Sequence, residues 1–410
     1  MKTKVKSYNK IQKGFVMKKM MFCVLVCAGT LLLGAADLTI ENFKTVDPKD
    51  WVPFRGGKIV KAPAGAFVTL PGIVTKRVAG SWKSRKDWNG KYNGIAFKVK
   101  GCASNDYGCI ALCIQAHTFQ YYFPLKSQEW VEYRVHFRDL TVYNASGLVL
   151  GGKKEGNISI DGLERLRFGD RWTIGHNNAR RKNVTYQIAD IRLITDAKEQ
   201  WECGKYKVAS YDSFRKQLNG GKKLSILCLG DSITAGSAVF MPSVNRYAAQ
   251  TQKLLREKYG KKQVSVRSLA VAGAILPDVN SWINRDFEEI PDLVTLMIGY
   301  NDKSNGYHRE GYGELLEQWI ARVAAKTKGK TAILLITPIP GNGPRYYSQD
   351  DYAVVVRRIA KKYSLPCLDM NQHFKTLSPA EFASSYADTA HPNAKGQKFF
   401  AEKLAAFLMK

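Results

Sequence analysis

The chain of 410 residues is poor in acidic residues relative to basic ones. It has 35 Asp and Glu against 63 Lys and Arg, which gives a formal net charge of +28. A basic excess suits nucleic acid, an anionic membrane surface or an acidic polymer as a partner. The chain has no zinc-finger spacing and no basic-region helix, and after residue 36 no run of Lys and Arg exceeds three residues. These absences argue against a nucleic-acid-binding protein.

Cysteine and histidine are too sparse to predict a structural metal site. The 8 Cys and 6 His form neither a CxxC pair nor a cluster with the spacing of zinc ligands, so we expect no metal. Cys102 and Cys109 flank the turn-like segment ASNDYG, and a disulfide bond between them is an option in an oxidising compartment. Cys228 and Cys367 fall in predicted core strands and are expected to be buried thiols.

Long apolar runs are also missing. The longest, MMFCVLVCAGTLLLG at 20–34, is shorter than the roughly 20 residues that span a bilayer. Two lysines precede it, and it ends in the small residue Gly34, which Ala35 and Ala36 follow immediately before Asp37. This layout predicts a secretory signal peptide at 1–36, with Met17 as a possible start, and a secreted or periplasmic protein without an integral membrane segment.

The length favours more than one domain. From 37 to 198 the sequence consists of short alternating or aromatic segments, separated by turns rich in Gly, Asn and Asp. Many short strands at this spacing predict an all-β sandwich. Residues 199–222 are polar and are interpreted as a linker.

From 223 to 410 the period changes, and short apolar runs alternate with helical patterns. This alternation predicts a parallel sheet with helices on both faces, a three-layer α/β sandwich. In such a sheet, binding sites lie at the carboxyl ends of the strands. The predicted strands are 224–229, 264–270, 292–298, 331–337 and 366–370, and the predicted helices are 243–259, 311–326, 350–363 and 394–409.

Four short groups fall at predicted strand ends or just before the last helix. They are Gly230-Asp-Ser232, Gly273, Gly299-Tyr-Asn-Asp302 and Asp388-Thr-Ala-His-Pro392. Considered alone, Ser232 has two interpretations. It could cap the helix that follows, or it could present a hydroxyl at the edge of the sheet beside helix N–H groups.

The four groups, in this order, resemble the SGNH (GDSL-type) hydrolase family over roughly 223–410. The resemblance implies a flavodoxin-like parallel sheet with Ser232 as the nucleophile, His391 as the base and Asp388 orienting the histidine. It further implies an oxyanion hole made of the backbone N–H groups of Ser232 and Gly273 and the side chain of Asn301.

These residue types also suit those roles chemically. A neutral serine needs an adjacent base, and histidine titrates near neutrality. A carboxylate three residues before the histidine can reach its other ring nitrogen and select the tautomer. Gly273 permits close approach of the main chain, and an amide donor such as Asn301 can contribute about 3 kcal/mol to a transition state. The chemistry is acyl transfer through a serine ester and requires no metal or organic cofactor.

The segment 37–198 resembles galactose-binding-like jelly-roll modules, which often bind carbohydrate. The resemblance rests on the segments 130–137, 166–172 and 188–193. Aromatic residues in or near predicted loops are candidates for stacking on sugar rings, with burial in the sandwich core as the alternative for each; they are Trp82, Trp88, Tyr92 and Trp172.

The whole chain is similar to two-domain acetylxylan esterases. This similarity implies a serine esterase that hydrolyses O-acetyl or other short acyl esters on a polysaccharide or oligosaccharide. The alternatives are a lipase or thioesterase, a sugar O-acetyltransferase and a catalytically silent carbohydrate-binding protein. The positive charge would favour an acidic glycan as the substrate.

Overall fold

The computed structural model describes residues 36–44, 50–54, 56–70, 72–78, 87–143, 150–151, 157–169, 184–343 and 349–410. Residues 35–410 form one compact unit. The predicted signal peptide lies outside the described residues except for Ala36, and Trp82 and Trp172 lie outside them as well. Within the described ranges, no helix has the combined length and apolar character needed to cross a membrane.

The N-terminal part consists of antiparallel strands. They are β1 (Leu38–Glu41), β2 (Trp51–Phe54), β3 (Lys58–Ala62), β4 (Gly65–Leu70), β5 (Ile73–Arg77), β6 (Gly94–Lys100), β7 (Tyr107–Ile114), β8 (His117–Pro124), β9 (Trp130–His136), β10 (Thr141–Val142), β11 (Leu163–Phe168) and β12 (Val184–Ile194). One sheet has the order β3-β4-β12-β6-β9, with β1 also paired to β12, and the other has the order β10-β8-β7-β11-β5-β2.

Alternating side chains explain why these strands form two layers. In β4, Ala66 and Val68 are buried, whereas Phe67 between them is exposed, as the two-residue period of a strand requires. The inward-facing residues of both sheets share one apolar core. The predicted all-β architecture is therefore confirmed, and its jelly-roll topology stays a prediction.

The C-terminal part is built on a parallel sheet. Its strands are β13 (Leu224–Gly230), β14 (Val264–Ser268), β15 (Leu293–Met297), β16 (Ala332–Ile336) and β17 (Cys367–Leu368), in the order β14-β13-β15-β16-β17. The strands are buried on both faces: Leu227 and Leu229 of β13 pack into one core, and Ile226 and Cys228 into another. This confirms the predicted three-layer α/β fold with flavodoxin-like strand order.

Helices cover both faces of this sheet. They are α1 (Tyr211–Asn219), α2 (Ser232–Ala235), α3 (Pro242–Asn245), α4 (Tyr247–Tyr259), α5 (Leu276–Ser281), α6 (Ile283–Asp286), α7 (Tyr300–Ser304), α8 (Arg309–Thr327), α9 (Asp350–Lys362), α10 (Met370–Lys375), α11 (Pro379–Ser384) and α12 (Ala394–Met409). Residues of α5, α6, α8 and α9 pack into one core, and residues of α1, α4, α10 and α12 pack into the other.

Two predicted elements differ from the structure. The single helix predicted at 243–259 is split into α3 and α4, because Arg246 has extended backbone with ψ 151°. The buried side chain of Gln397 accepts the backbone N–H of Tyr247 at 2.7 Å and so satisfies the start of α4. The last strand is also shorter than predicted, since Asp369 caps α10 by accepting the N–H of Gln372.

Residues 199–222, interpreted from the sequence as a linker, contain the helix α1 and a buried tryptophan. Trp201 packs into the same core as Tyr107 and Tyr122 of the β-sandwich and Leu227 of the parallel sheet. Ser210 caps α1, which buries Phe214 and Leu218. This segment therefore packs tightly against its surroundings.

The disulfide bond between Cys102 and Cys109 that we considered from the sequence is not formed. Cys102 packs against the core of the sandwich, whereas Cys109 lies in the core shared with the parallel-sheet part. The side chains of β7 alternate between these two cores, and the side chain of Cys109 faces the shared core.

Trp282 lies where the sandwich meets the parallel-sheet part. Its ring meets that of Tyr122 edge-on, with centroids 6.3 Å apart, and the guanidinium of Arg285 stacks 3.9 Å from its centroid. Trp282 is fully buried. It is therefore a large buried side chain at the contact between the two parts.

We predict that Trp282→Ala lowers the free energy of unfolding by about 3–5 kcal/mol, because the substitution leaves a large cavity. Urea unfolding followed by circular dichroism measures the change. Phe240→Ala is the matched control: Phe240 is 83% exposed, and we expect a change within about 0.5 kcal/mol. Equal losses in both variants would contradict the proposed role of Trp282.

Candidate active site

Ser232 is placed by the sharp turn between β13 and α2. Asp231 is the N-cap of α2, and its Oδ1 accepts the backbone N–H of Ile233 at 3.0 Å. A Cβ atom on Gly230 would lie 2.3 Å from the carbonyl oxygen of Met297, so the turn admits only glycine at that position. Asp231 therefore caps the helix, and the hydroxyl of Ser232 serves another partner.

That partner is His391, which lies in the loop between α11 and α12. Its Nε2 is 2.8 Å from Oγ of Ser232, and its Nδ1 is 2.8 Å from Oδ2 of Asp388. The structure thus brings the three predicted catalytic side chains into one hydrogen-bonded line. Their catalytic roles stay a prediction at this point.

Asp388 is held by its own loop. Its Oδ1 accepts the backbone N–H groups of Ala390 and His391, both at 2.7 Å. Partial burial by itself raises the pKa of Asp388, but these N–H groups and the His391 ring outweigh burial and keep the pKa below its ordinary value. A carboxylate at this position selects the tautomer with the proton on Nδ1, which leaves Nε2 to accept the serine proton.

The two predicted oxyanion residues outside α2 lie next to each other. Gly273 has φ +81°, a conformation that side chains disfavour. The Nδ2 of Asn301 donates to the carbonyl of Ala274 at 3.0 Å, so this amide lies against the loop that contains Gly273. Their role as donors to an oxyanion stays a prediction.

Two carboxylates hold the same loop through contacts that were not predicted from the sequence. Oδ1 of Asp302 accepts the backbone N–H of Leu276 at 2.8 Å, and Oδ2 of Asp278 accepts that of Ile275 at 3.0 Å. The Asn-Asp pair at 301–302 was the available signal. The short helix α5, which receives these contacts, had no periodic signal of its own.

Burial raises the pKa of two aspartates beneath the site, Asp302 and Asp231. For Asp302, burial raises the pKa to about 8; the Leu276 N–H opposes this shift, and the negative charges of Asp231 and Asp278 add to it. For Asp231, burial raises the pKa to about 6, against the stabilising effects of the Ile233 N–H and His391. Asp302 is therefore largely protonated at neutral pH.

The aromatic residues of the sandwich that are candidates for stacking on sugar rings differ in their burial. Tyr92 is buried in the core, so the alternative interpretation is correct for this residue. Trp88 is half-buried and packs against the same core, and the backbone N–H groups of Trp88 and Asn89 donate to Asp161 at 2.9 Å. Sugar binding by Trp88 stays a prediction.

The aligned side chains of Ser232, His391 and Asp388 are suited to nucleophilic chemistry. A serine hydroxyl that is hydrogen-bonded to an imidazole, itself paired with a carboxylate, can lose its proton while it attacks an electrophilic carbon. Across the described ranges, no group of three or more His, Cys, Asp or Glu side chains is arranged to hold a metal ion.

Residues 228–399 match the GDSL-like Lipase/Acylhydrolase family. Over 209 residues the chain is 30% identical to an acetylxylan esterase of Xylanibacter ruminicola. This match covers 45% of the chain and 42% of that protein, so the chain spans less than half the length of this curated relative.

Solved structures of similar proteins include two hydrolases. Axe2, an acetylxylan esterase from Geobacillus stearothermophilus, is 25% identical, and the match covers 46% of this chain and 95% of Axe2 with a TM-score of 0.38. LAE5, an α/β hydrolase from the metagenome of Lake Arreo, is 22% identical, and the match covers 50% and 100% with a TM-score of 0.38. The family match at 228–399 includes the residue groups at 230–232, 273, 299–302 and 388–392.

Proposed function

We propose that the protein is a secreted serine esterase that removes O-acetyl or other short acyl groups from a polysaccharide or oligosaccharide. The observation that carries the proposal is the line from Ser232 through His391 to Asp388, with two contacts of 2.8 Å. The family match and the acetylxylan esterase relative support the ester and the acetylated carbohydrate. The pattern of a signal peptide at 1–36 supports export.

The reaction would proceed in two halves. Oγ of Ser232 attacks the ester carbonyl while Nε2 of His391 accepts the hydroxyl proton, and the tetrahedral intermediate then collapses. The bond to the leaving alcohol breaks, and His391 protonates that alcohol, which leaves an acyl-serine. In the second half His391 takes a proton from water, the hydroxyl attacks the acyl-serine, and Ser232 regains its proton as the carboxylic acid leaves. Asp388 stabilises the imidazolium that forms in each half.

The oxyanion would form beside Gly273 and Asn301. The side-chain amide of Asn301 has two N–H groups, and the bond to the carbonyl of Ala274 fixes its plane. In this proposal the second N–H points at the oxyanion, together with the backbone N–H groups of Ser232 and Gly273. Donors that are held in place before the reaction need no reorganisation when the charge develops.

A second candidate is a lipase-type esterase, and one observation favours it. Phe240, Met241 and Val244 are 83%, 52% and 56% exposed. They follow Ser232 closely in the chain, and the N–H of Ser237 donates to the Ser232 carbonyl at 3.0 Å. Exposed apolar side chains on this segment would suit a long acyl chain.

We predict that Ser232→Ala lowers kcat on 4-nitrophenyl acetate by at least about 10⁴-fold, because the variant has no nucleophile. Stopped-flow or plate-reader absorbance measures the rate. The matched control is Ser237→Ala, an exposed serine in the turn that follows α2, for which we expect wild-type rates. Ester hydrolysis that persists in Ser232→Ala would refute the assigned nucleophile.

We predict that the acetyl group is preferred over long acyl groups. The kcat/KM for 4-nitrophenyl acetate should exceed that for the octanoate, and acetate should be released from acetylated xylan. A preference for octanoate that is lost in Phe240→Ala would favour the lipase-type candidate. Release of nitrophenol without release of acetate from any acetylated glycan would contradict the carbohydrate part of the proposal.

We predict that Asp302 makes the protein less stable as the pH rises. Its pKa is about 8 in the folded protein against an ordinary value of 3.8, so between these values the unfolded chain binds fewer protons. Stability from this group is complete below about pH 4 and is lost as the pH rises through 8, at up to about 1.4 kcal/mol per pH unit.

Urea unfolding at pH 5, 6, 7 and 8 tests this prediction with Asp302→Asn as the comparison. The amide keeps an acceptor for the Leu276 N–H and does not titrate. The free energy of unfolding of the variant should therefore fall less steeply with pH than that of the wild type. Parallel curves would show that Asp302 is already ionised in the folded protein.

A further inference from the structure

Helix α5 connects the oxyanion loop to the β-sandwich. It begins three residues after Gly273, and residues 276–280 are all buried. On its sandwich side, Nε2 of Gln120 in β8 donates to Oγ of Ser281 at 3.1 Å. The loop of the candidate active site therefore leads directly into a helix that contacts the other part of the protein.

Arg322 of α8 is the main polar link across this junction, and it is 2% exposed. On the sandwich side its guanidinium donates to the carbonyls of Arg138 at 3.2 Å and Leu140 at 3.1 Å, and to the hydroxyl of Thr141. On the other side it donates to the carbonyl of Asn280 in α5 at 3.1 Å. One planar group thus has acceptors on both parts.

The hydrogen bonds continue from Asn280 to the active-site loop. Its Nδ2 donates to the carbonyls of Leu276 at 3.2 Å and Leu315 at 2.9 Å. The N–H of Leu276 in turn donates to Asp302, and the neighbouring Asn301 donates to the carbonyl of Ala274. Hydrogen bonds, connected through the backbone at Leu276 and at residues 301–302, therefore join residues 138–141 of the sandwich to the predicted oxyanion residues.

The charge of Arg322 makes this junction specific. Burial lowers its pKa to about 10, while the nearby charge of Asp139 opposes the shift, so the guanidinium is charged at neutral pH. Asp139 is itself held by the N–H groups of Gln200 at 2.7 Å and Trp201 at 3.1 Å. A buried charge must keep its partners, since an unpaired one is costly. The fixed fork of the guanidinium therefore sets the distance between its acceptors.

We infer that Arg322 is a positioning residue for the proposed esterase reaction, through which the β-sandwich holds the loop 273–276 in place for the oxyanion. This inference rests on the proposed function, and it makes the sandwich a part of the catalytic unit rather than only a module for substrate. A misplacement of about 1 Å at a reacting centre can cost about 10²-fold in rate. A looser junction should therefore lower kcat and leave substrate affinity unchanged.

The test uses the full chain with Arg322→Lys, assayed with 4-nitrophenyl acetate. Lysine keeps the charge but has a single nitrogen, so it cannot reach all the acceptors of the guanidinium. We expect kcat per folded molecule to fall by about 10-fold or more, while KM changes by less than about twofold. Circular dichroism gives the folded fraction.

Two further variants keep the test decisive. Thr141→Val removes one acceptor from the sandwich side at nearly constant volume, so it should fold and should lower kcat by a smaller factor. Glu288→Gln is the control, because it breaks the half-exposed ion pair of Lys126 with Glu288 between the same two parts, away from α5. We expect wild-type kcat for this control.

The outcomes separate the two proposals. If the wild type is active and folded Arg322→Lys and Thr141→Val both retain its kcat, the inference is wrong and Arg322 has only a structural role. If Arg322→Lys does not fold, the kcat of Thr141→Val decides in the same way. A wild type that hydrolyses no ester overturns the proposed function, and this inference with it.

Discussion

Backbone groups buried at the carboxyl edge of the parallel sheet must be hydrogen-bonded, because each unpaired one costs about 1–3 kcal/mol. The loops after β13 and β14 leave the regular sheet there, and side chains meet this requirement. Asp231 accepts the Ile233 N–H, Asp302 accepts the Leu276 N–H, and Asn301 donates to the Ala274 carbonyl. The contacts that make these loops stable also give the candidate active site its shape. A substitution that removes one of these contacts is therefore expected to change both the stability of the loops and the shape of the candidate active site.

The β-sandwich takes part in this arrangement through its outer surface. Tyr107, Cys109 and Tyr122 turn away from the sandwich core and pack with Trp282 in the core of the parallel-sheet part. The buried guanidinium of Arg322 adds directional hydrogen bonds to this apolar contact, because its N–H donors require carbonyls at defined positions. An apolar interface alone tolerates sliding, whereas a buried charge does not. The two parts belong to one compact unit.

The sequence predicted much of the site, because its signals are local. Short apolar runs identified the parallel strands, and the resemblance to the SGNH family paired Ser232 with His391, which are 159 residues apart. The break at Arg246 could not be predicted, since it depends on the distant side chain of Gln397. The helix α5 was missed for a similar reason: it is short, and Asp278, Asn280 and Asp302 stabilise it through tertiary contacts.

By itself the sequence determined the all-β class of the first part, the α/β class of the second part and the residue types that meet at the edge of the parallel sheet. Hydrophobic periodicity and turn residues are patterns of a few neighbouring residues, so they can be recognised in the sequence without knowledge of tertiary contacts. The tertiary structure alone decided that Asp231 caps α2, that burial raises the pKa of Asp302, and that Arg322 joins the sandwich to the loop of Gly273. These properties depend on burial and on contacts between distant segments, which no local pattern encodes.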